Sequence, residues 1–490
     1  FIVVYDAQRL VEGQVPYRDF FNFIPPGVFL FLAPLFRVTG GATLTAGRYA
    51  SAGAIVGAFL LLAWAFRRRG WSWALAASWA AVVPVALYGF WAIPSHHWLG
   101  AACVAGFLVA MAQPGESGGK AWLFAGVAVG LAGLFVQTLG VAILAVLITL
   151  LLLAAPRKGQ AAALGVSGVL AVFGPVLAGL WAWGALGPFF KDVILWPARN
   201  YSREGNENAG AALQDLPWRL GDLWTALAAK PSLGQAVTSL SGFLLYGGLV
   251  LAGSAILSIA AASLGRMIAS RRLKDPWTTA ATLVTFLLLG LGARGSANWL
   301  HLVFLLAVLG PLWIVALGTS WAVWKRGPRV LVIALTGVLL AGGALFHMRG
   351  LWSHCPEGWE WRDVDRPIRE QAVNRFLRSP GVLTPGDTIA AFPEGGEVYL
   401  YSAPAAVGYT YFLPLNRHYN SLEDHRAVAR QIRVNRPKWI LLTPGMERAY
   451  LDPASPIATE ILMGYQRQGV MENAVLYKRK TGIAPEGTEP

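Results

Sequence analysis

The feature that most constrains this chain is a series of apolar runs, each about as long as a bilayer is thick. A helix needs roughly 17–25 mainly apolar residues to cross, and such runs fall at 45–66, 71–93, 161–186, 240–266, 277–294, 301–323 and 330–348. Two more stretches, 98–113 and 121–155, belong to the same set. The second is too long for one helix and is interrupted near Val136-Gln137-Thr138, so it reads as two short spans. The pattern predicts about ten crossings. Composition agrees: 13% of the residues are charged, where soluble domains carry roughly a quarter, and the mean hydropathy is +0.50. The 55 Gly and 21 Trp suit close helix packing and interfacial anchoring.

Lys and Arg gather on the cytoplasmic side of membrane proteins. One orientation places five clusters inside: Arg67-Arg68-Arg69, Lys120, Arg157-Lys158, Arg266/Arg271/Arg272/Lys274 and Lys325/Arg326/Arg329. The opposite loops at 94–97 and 135–138 carry neither Lys nor Arg. This orientation requires Pro25–Thr39 not to span, and it reads as a helix lying in the outer interface, opened by Pro25 and Pro26. Residues 1–44, the loop at 187–239 and everything after about 350 then face outward, on a multi-pass protein of the plasma membrane. The net charge of +14 is largely explained by these orienting loops, so no nucleic acid is expected as a partner.

Two domains are expected: a transmembrane domain over 1–349 and a small α/β domain over 350–490, which holds 16 of the 26 acids. In the latter the pattern predicts a polar helix over 363–379, a strand over Thr388–Phe392 and a turn at Pro393-Glu394-Gly395-Gly396. A second helix follows over 421–435, and a strand over Trp439–Thr443. Residues after Lys480 read as disordered. Cys103 and Cys355 are too few for a disulfide framework or a structural zinc site. The chain opens on Phe1 with no signal-peptide pattern, and reads as a fragment or a processed product.

Ten acids precede residue 350, and none falls mid-span. Glu116 and Asp275 lie in cytoplasmic loops. The other eight (Asp6, Glu12, Asp19, Asp192, Glu204, Glu207, Asp215 and Asp222) lie in the two outward segments. A proton or ion pump needs ionisable groups at membrane depth. This distribution argues against one and for chemistry at the outer surface.

The run from Tyr5 through Gly13, Pro16-Tyr17-Arg18-Asp19-Phe20-Phe21, Pro25-Pro26-Gly27, Gly40 and Arg48 resembles the first outer loop of GT-C membrane glycosyltransferases. These form the broad group related to protein O-mannosyltransferases and aminoarabinose transferases. The resemblance implies an α-helical polytopic membrane fold with an extracytoplasmic C-terminal domain. It also implies inverting transfer of a sugar from a polyprenyl-phosphate donor to an acceptor glycan, lipid or protein, with the active site on the outer face. In relatives the main catalytic carboxylate stands about a dozen residues before the glycine matching Gly13, which places it just upstream of Phe1. Its role is not transferred to Asp6. No cofactor is demanded, although a divalent metal is compatible with the group.

Such a reaction needs a base for the acceptor hydroxyl and cations for the departing lipid phosphate. Asp19, beside Arg18, is the leading carboxylate candidate in the chain, or else it is a loop acid paired with Arg18 or Arg48. Asp6 is either a site residue or an exposed position on an interfacial helix. His96-His97, after Pro94 at the outer end of a span, reads as cavity lining, interface anchoring or, least favoured, a metal ligand pair. Arg294, followed by His301, either meets donor phosphate through its planar fork or snorkels to the headgroups. Lys191, Arg199 and Tyr201 are weaker substrate contacts, and solvated loop charges are the plainer reading. His418 and His425 read as surface residues. The competing interpretation of the whole chain is a non-catalytic transporter or assembly scaffold with an outer domain.

Overall fold

The computed structural model describes residues 2–68, 94–111, 118–153, 155, 157–200, 369–415, 420–471 and 474–481, together with positions 221, 265, 279 and 283. The expected spans at 71–93, 240–266, 277–294, 301–323 and 330–348 lie outside the described residues, apart from those isolated positions. So do the domain boundary near 350, the first part of the 363–379 helix and His418. The chain divides into two compact units.

One unit holds residues 48–179 and 207–359. Its described helices follow the apolar runs: Leu44–Arg68, which starts just before the boundary, His96–Met111, Gly118–Phe135, Gln137–Leu153 and Lys158–Ala182. The division of the long run at 136–138 is present as a one-residue break at Val136. Among the described residues, two helices are long and apolar enough to cross a bilayer, Leu44–Leu61 and Lys158–Ala182, and shorter apolar helices accompany them. Large apolar side chains point outward along them, including Phe124, Val141, Ile148, Leu152, Val166 and Leu170. A soluble protein would bury such a surface; a lipid-facing one has no reason to.

Glycine lets these helices meet backbone to backbone. A Cβ added at Gly126 would stand 2.0 Å from the Gly165 carbonyl oxygen, and one at Gly168 would stand 2.3 Å from the Leu123 carbonyl oxygen. Across the Val136 break, a Cβ on Gly140 would come within 2.4 Å of the Gly133 Cα. The obstacles are backbone atoms, which cannot swing away as a side-chain end can. Gly168→Val is therefore expected to cost about 3 kcal/mol and to lower the melting temperature and yield of detergent-purified protein, while Gly174→Ala, with open space at its Cβ, leaves both unchanged.

The other unit joins three stretches distant in sequence: residues 1–47, 180–206 and 360–490. At its centre is a four-stranded sheet ordered β1-β2-β4-β3, with β1 at Ile389–Phe392, β2 at Trp439–Leu442, β3 at Tyr465–Met471 and β4 at Ala474–Arg479. The parallel β1–β2 pair needs a crossover, which the Leu422–Asn435 helix supplies. That helix starts where the sequence places it, because Ser421 and Asp424 form a reciprocal capping box.

Side chains of β1, β2 and β4 alternate between two buried faces. Ala390, Phe392, Ile440, Leu442, Val475 and Tyr477 join a core with Val428, Ile432 and Ile461 from two helices. Ile389, Ala391, Trp439, Leu441 and Leu476 join a second core with Leu377, Tyr399 and Tyr5. Tyr5 comes from the opening helix, Ile2–Val11. The first helix of the chain is thus one of the layers covering the C-terminal sheet. The expected turn at 393–396 is instead a cis Phe392–Pro393 bond leading to a Gly396–Tyr401 helix. His425 is not a surface residue: it is fully buried, with Nδ1 3.1 Å from Ser455 Oγ and its ring against Phe412. Burial pushes its pKa down to about 4, so it sits in the core as neutral imidazole.

Candidate functional site

Residues 15–24 connect the opening helix to the helix at Gly27–Thr39, and they carry unusual backbone geometry. Tyr17 has φ of +70°, a left-handed conformation that costs a bulky residue energy and persists only where the surroundings enforce it. Here the surroundings do so. The buried Tyr17 hydroxyl donates to the Ile24 carbonyl at 2.8 Å, and its ring packs edge-on against Phe189. Burial raises the phenol well above its ordinary pKa, with Asp192 and Asp6 adding to the effect.

Asp6 projects from the opening helix and is wholly buried. One carboxylate oxygen accepts from Asn22 Nδ2 at 2.7 Å, and the other accepts from Thr410 Oγ1 at 2.7 Å. This overturns the exposed alternative for Asp6: the helix lies against the C-terminal domain, with the Tyr5 hydroxyl accepting the Ala405 N–H at 2.9 Å. Burial pushes Asp6 up to about 6, opposed by Arg9 and by the Thr410 and Asn22 hydrogen bonds. Arg9 is itself buried, lies 4.1 Å from the Phe20 ring centroid and hydrogen-bonds Gln14.

Asp192 approaches the same turn from the 180–206 stretch. It lies in a single π-helical turn, Phe190–Leu195, an insertion found disproportionately at functional sites. Only 7% of it is exposed, and the nearby backbone N–H of Asn22 favours its charged form. Asn22 thus bears on both acids: its side chain donates to Asp6, and its backbone N–H opposes the upward shift of Asp192. Burial raises Asp192 to about 7; Lys191 opposes this and Asp424 reinforces it. A carboxylate near neutrality is matched to accept a proton at physiological pH.

Asp19 is placed differently. Arg18 grips it in a fork, Nε to Oδ1 at 2.8 Å and Nη2 to Oδ2 at 2.9 Å, and the Val15 N–H donates to Oδ2 at 2.7 Å. The Arg18 guanidinium holds Asp19 below the ordinary carboxylate range. The Arg18 arm of the sequence alternative is the one that forms, and the remaining Arg18 nitrogen, Nη1, donates to the Trp183 carbonyl at 3.1 Å.

The sequence candidates therefore separate. Asp6 enters the buried cluster, Arg18 and Asp19 form a pair at its edge, and Lys191 and Arg199 are exposed on the stretch that carries Asp192. His96 and His97 belong to the other unit, at the start of the His96–Met111 helix, half-buried with rings 4.1 Å apart. Tyr201, Arg294 and His301 lie outside the described residues. Asp192, Asn22 and Thr410 were not singled out by the sequence. Asp192 looked like one loop acid among eight, and Thr410 lies 404 residues from the acid it bonds. Among the described residues, no three His, Cys, Asp or Glu side chains are grouped to hold a metal ion.

No protein-family model matches the chain, and no curated protein does. Solved structures do. The aminoarabinose transferase ArnT from Cupriavidus metallidurans, bound to undecaprenyl phosphate, superposes with a TM-score of 0.51 at 14% identity, over 98% of this chain and 93% of that one. The oligosaccharyltransferase of Archaeoglobus fulgidus, tethered to an acceptor peptide, superposes with a TM-score of 0.50 at 13% identity, over 99% of this chain and 70% of that one. At such identities the likeness concerns architecture, and it covers nearly the whole chain: the protein has the GT-C fold of these membrane glycosyltransferases.

Proposed function

We propose that this protein is a polytopic membrane glycosyltransferase that moves a sugar from a polyprenyl-phosphate donor to an acceptor at the outer face of the plasma membrane, with inversion at the anomeric carbon. The observation that carries the reading is the GT-C fold along almost the full chain, shared with an enzyme bound to undecaprenyl phosphate. The clustering of the outer segments supports it. Of the three stretches assigned outward by the charge pattern, residues 1–44, 187–206 and 360–490 assemble into one unit, while 207–239 falls in the other; Asp6 and Asp192, both raised by burial, lie in the first of these units.

The chemistry follows from the placement of the carboxylates. Asp6 has both oxygens engaged and anchors the loop. Asp19 is tied to Arg18 and is a poor base. Asp192, raised to about 7 by burial, takes the acceptor's proton as the sugar carbon is attacked. The lipid phosphate leaves with its charge met by cations, for which Arg18, Lys191, Arg199 and, outside the described residues, Arg294 are the candidates. His96, His97, Tyr201 and His301 are proposed as contacts to sugar or acceptor.

The decisive experiment is glycosyl transfer by the full-length protein in membranes, using a panel of polyprenyl-phosphate sugars and a working relative as control. Transfer from at least one donor, with release of the polyprenyl phosphate, is the expected result. Failure with every donor while the control turns over would overturn the proposal.

A further inference from the structure

The stretch that presents Asp192 has a second face. Between Leu186 and Asn200 the chain is helical throughout, as Leu186–Phe189, the π-helical turn Phe190–Leu195 and Trp196–Asn200. One side is buried: Phe189, Asp192, Val193, Trp196 and Asn200. Phe189 packs on Tyr17, and Trp196 packs on Phe21 and Phe23. The opposite side is apolar yet open, with Phe190 48%, Ile194 46% and Leu195 47% exposed. Folding in water would not select this, since an amphipathic helix turns its apolar stripe inward and its polar side outward. Here both sides are apolar, and among the described residues only one is buried.

Two further observations identify what meets the open side. The first is charge. Lys191 and Arg199 are exposed on this stretch, and its one acid, Asp192, is on the buried side. Exposed apolar groups flanked by cations, with no exposed carboxylate, match the interface of an anionic bilayer. The second is chain continuity. The Lys158–Ala182 helix is long and apolar enough to cross a membrane and ends in exposed Trp181 and Trp183, the residue type that anchors helix ends at the headgroup level. A turn at Gly184, with φ of +68°, is all that separates this end from Leu186.

We infer that residues 181–199 form an interfacial element lying in the outer headgroup layer, with Phe190, Ile194 and Leu195 among the upper acyl chains and Lys191 and Arg199 on lipid phosphates. The occupant of the open face is the bilayer itself. The element then holds Asp192 at a fixed height just above the lipid, where a lipid-linked phosphate emerges. The inference uses the membrane reading of the fold and does not require glycosyl transfer.

The test uses full-length protein with Cys103 and Cys355 replaced by Ala, reconstituted in nanodiscs and labelled with an environment-sensitive dye at Ile194→Cys. Glu423→Cys, at an exposed position in the C-terminal domain, is the control. The expected result is blue-shifted emission at position 194 that brominated lipid quenches, with neither effect at 423. Water-like emission at 194 would overturn the inference, and so would a blue shift that brominated lipid leaves unquenched, since protein would then cover the face. A second measurement compares melting in zwitterionic and anionic nanodiscs. The wild type is expected to gain stability from anionic lipid and the Lys191→Gln/Arg199→Gln protein to lose that gain; an equal gain in both would remove the headgroup contacts from the proposal. None of these readouts depends on turnover, so a missing donor and a misplaced helix are distinguishable.

Discussion

Asp192→Asn is expected to lower glycosyl transfer by about a hundredfold or more, the range for losing a positioned proton acceptor. The amide keeps the shape, so donor binding should change little and the loss should fall on kcat. The pH profile separates this role from a structural one. A base must be unprotonated to act, and burial holds Asp192 near 7. Wild-type turnover should therefore climb as the pH rises through 7 and then level off, and the climb should be absent in the variant. A variant that loses activity equally at every pH while keeping the wild-type slope would assign Asp192 to scaffolding.

Asp6 gives the second large effect, and its sign depends on pH. The folded protein binds a proton at Asp6 near pH 6, whereas an unfolded Asp does so near 3.9. Between those values the folded state holds more protons, so the Asp6 contribution is fully present below about pH 4 and is lost as the pH rises through 6. The span of about two pKa units corresponds to roughly 3 kcal/mol. Asp6→Ala strands the buried Asn22 amide and Thr410 hydroxyl, each loss costing about 1–3 kcal/mol. The substitution should therefore cost more at pH 5 than at pH 7, measured by denaturant titration of the purified protein. An equal cost at both would mean that Asp6 titrates as if it were exposed. Asp387 and Asp19, with lowered pKa values, act in the opposite direction below pH 4, and Asp192, near 7, titrates in wild type and variant alike and so drops out of the comparison.

Much of the architecture could be read from local chemistry. The break at Val136 follows from a run too long for one helix. The Leu422–Asn435 helix has a start signal in Ser421 and Asp424 three residues apart, and the fully buried strands β1 and β2 are short apolar runs. The outer hairpin was not legible. β3 reads Tyr465-Gln466-Arg467-Gln468-Gly469-Val470-Met471, mostly polar because most of its side chains are left exposed, and its pairing slips between Arg467 and Gly469. The site was less legible still. Pairing Arg18 with Asp19 is a neighbour interaction and can be guessed. Nothing near Asp6 announces Thr410, and nothing in Lys191-Asp192-Val193 says that the middle residue turns inward, because a π-helical turn shifts the facing of every residue after it.

The placement of the opening helix against the C-terminal sheet also governs how the protein is made. Tyr5 and Ala405 are 400 residues apart, an interval of roughly 20–80 s at ribosomal speed. Throughout that time the first helix has been synthesised without its sheet, and Tyr5, Ala7 and Asp6 have nowhere to be buried. The chain between that helix and its sheet, with the apolar helices Leu44–Leu61 and Lys158–Ala182, is made before this unit can close. Closure of this unit is therefore among the last events of folding, because Tyr5 waits for Ala405 however early its helix is made.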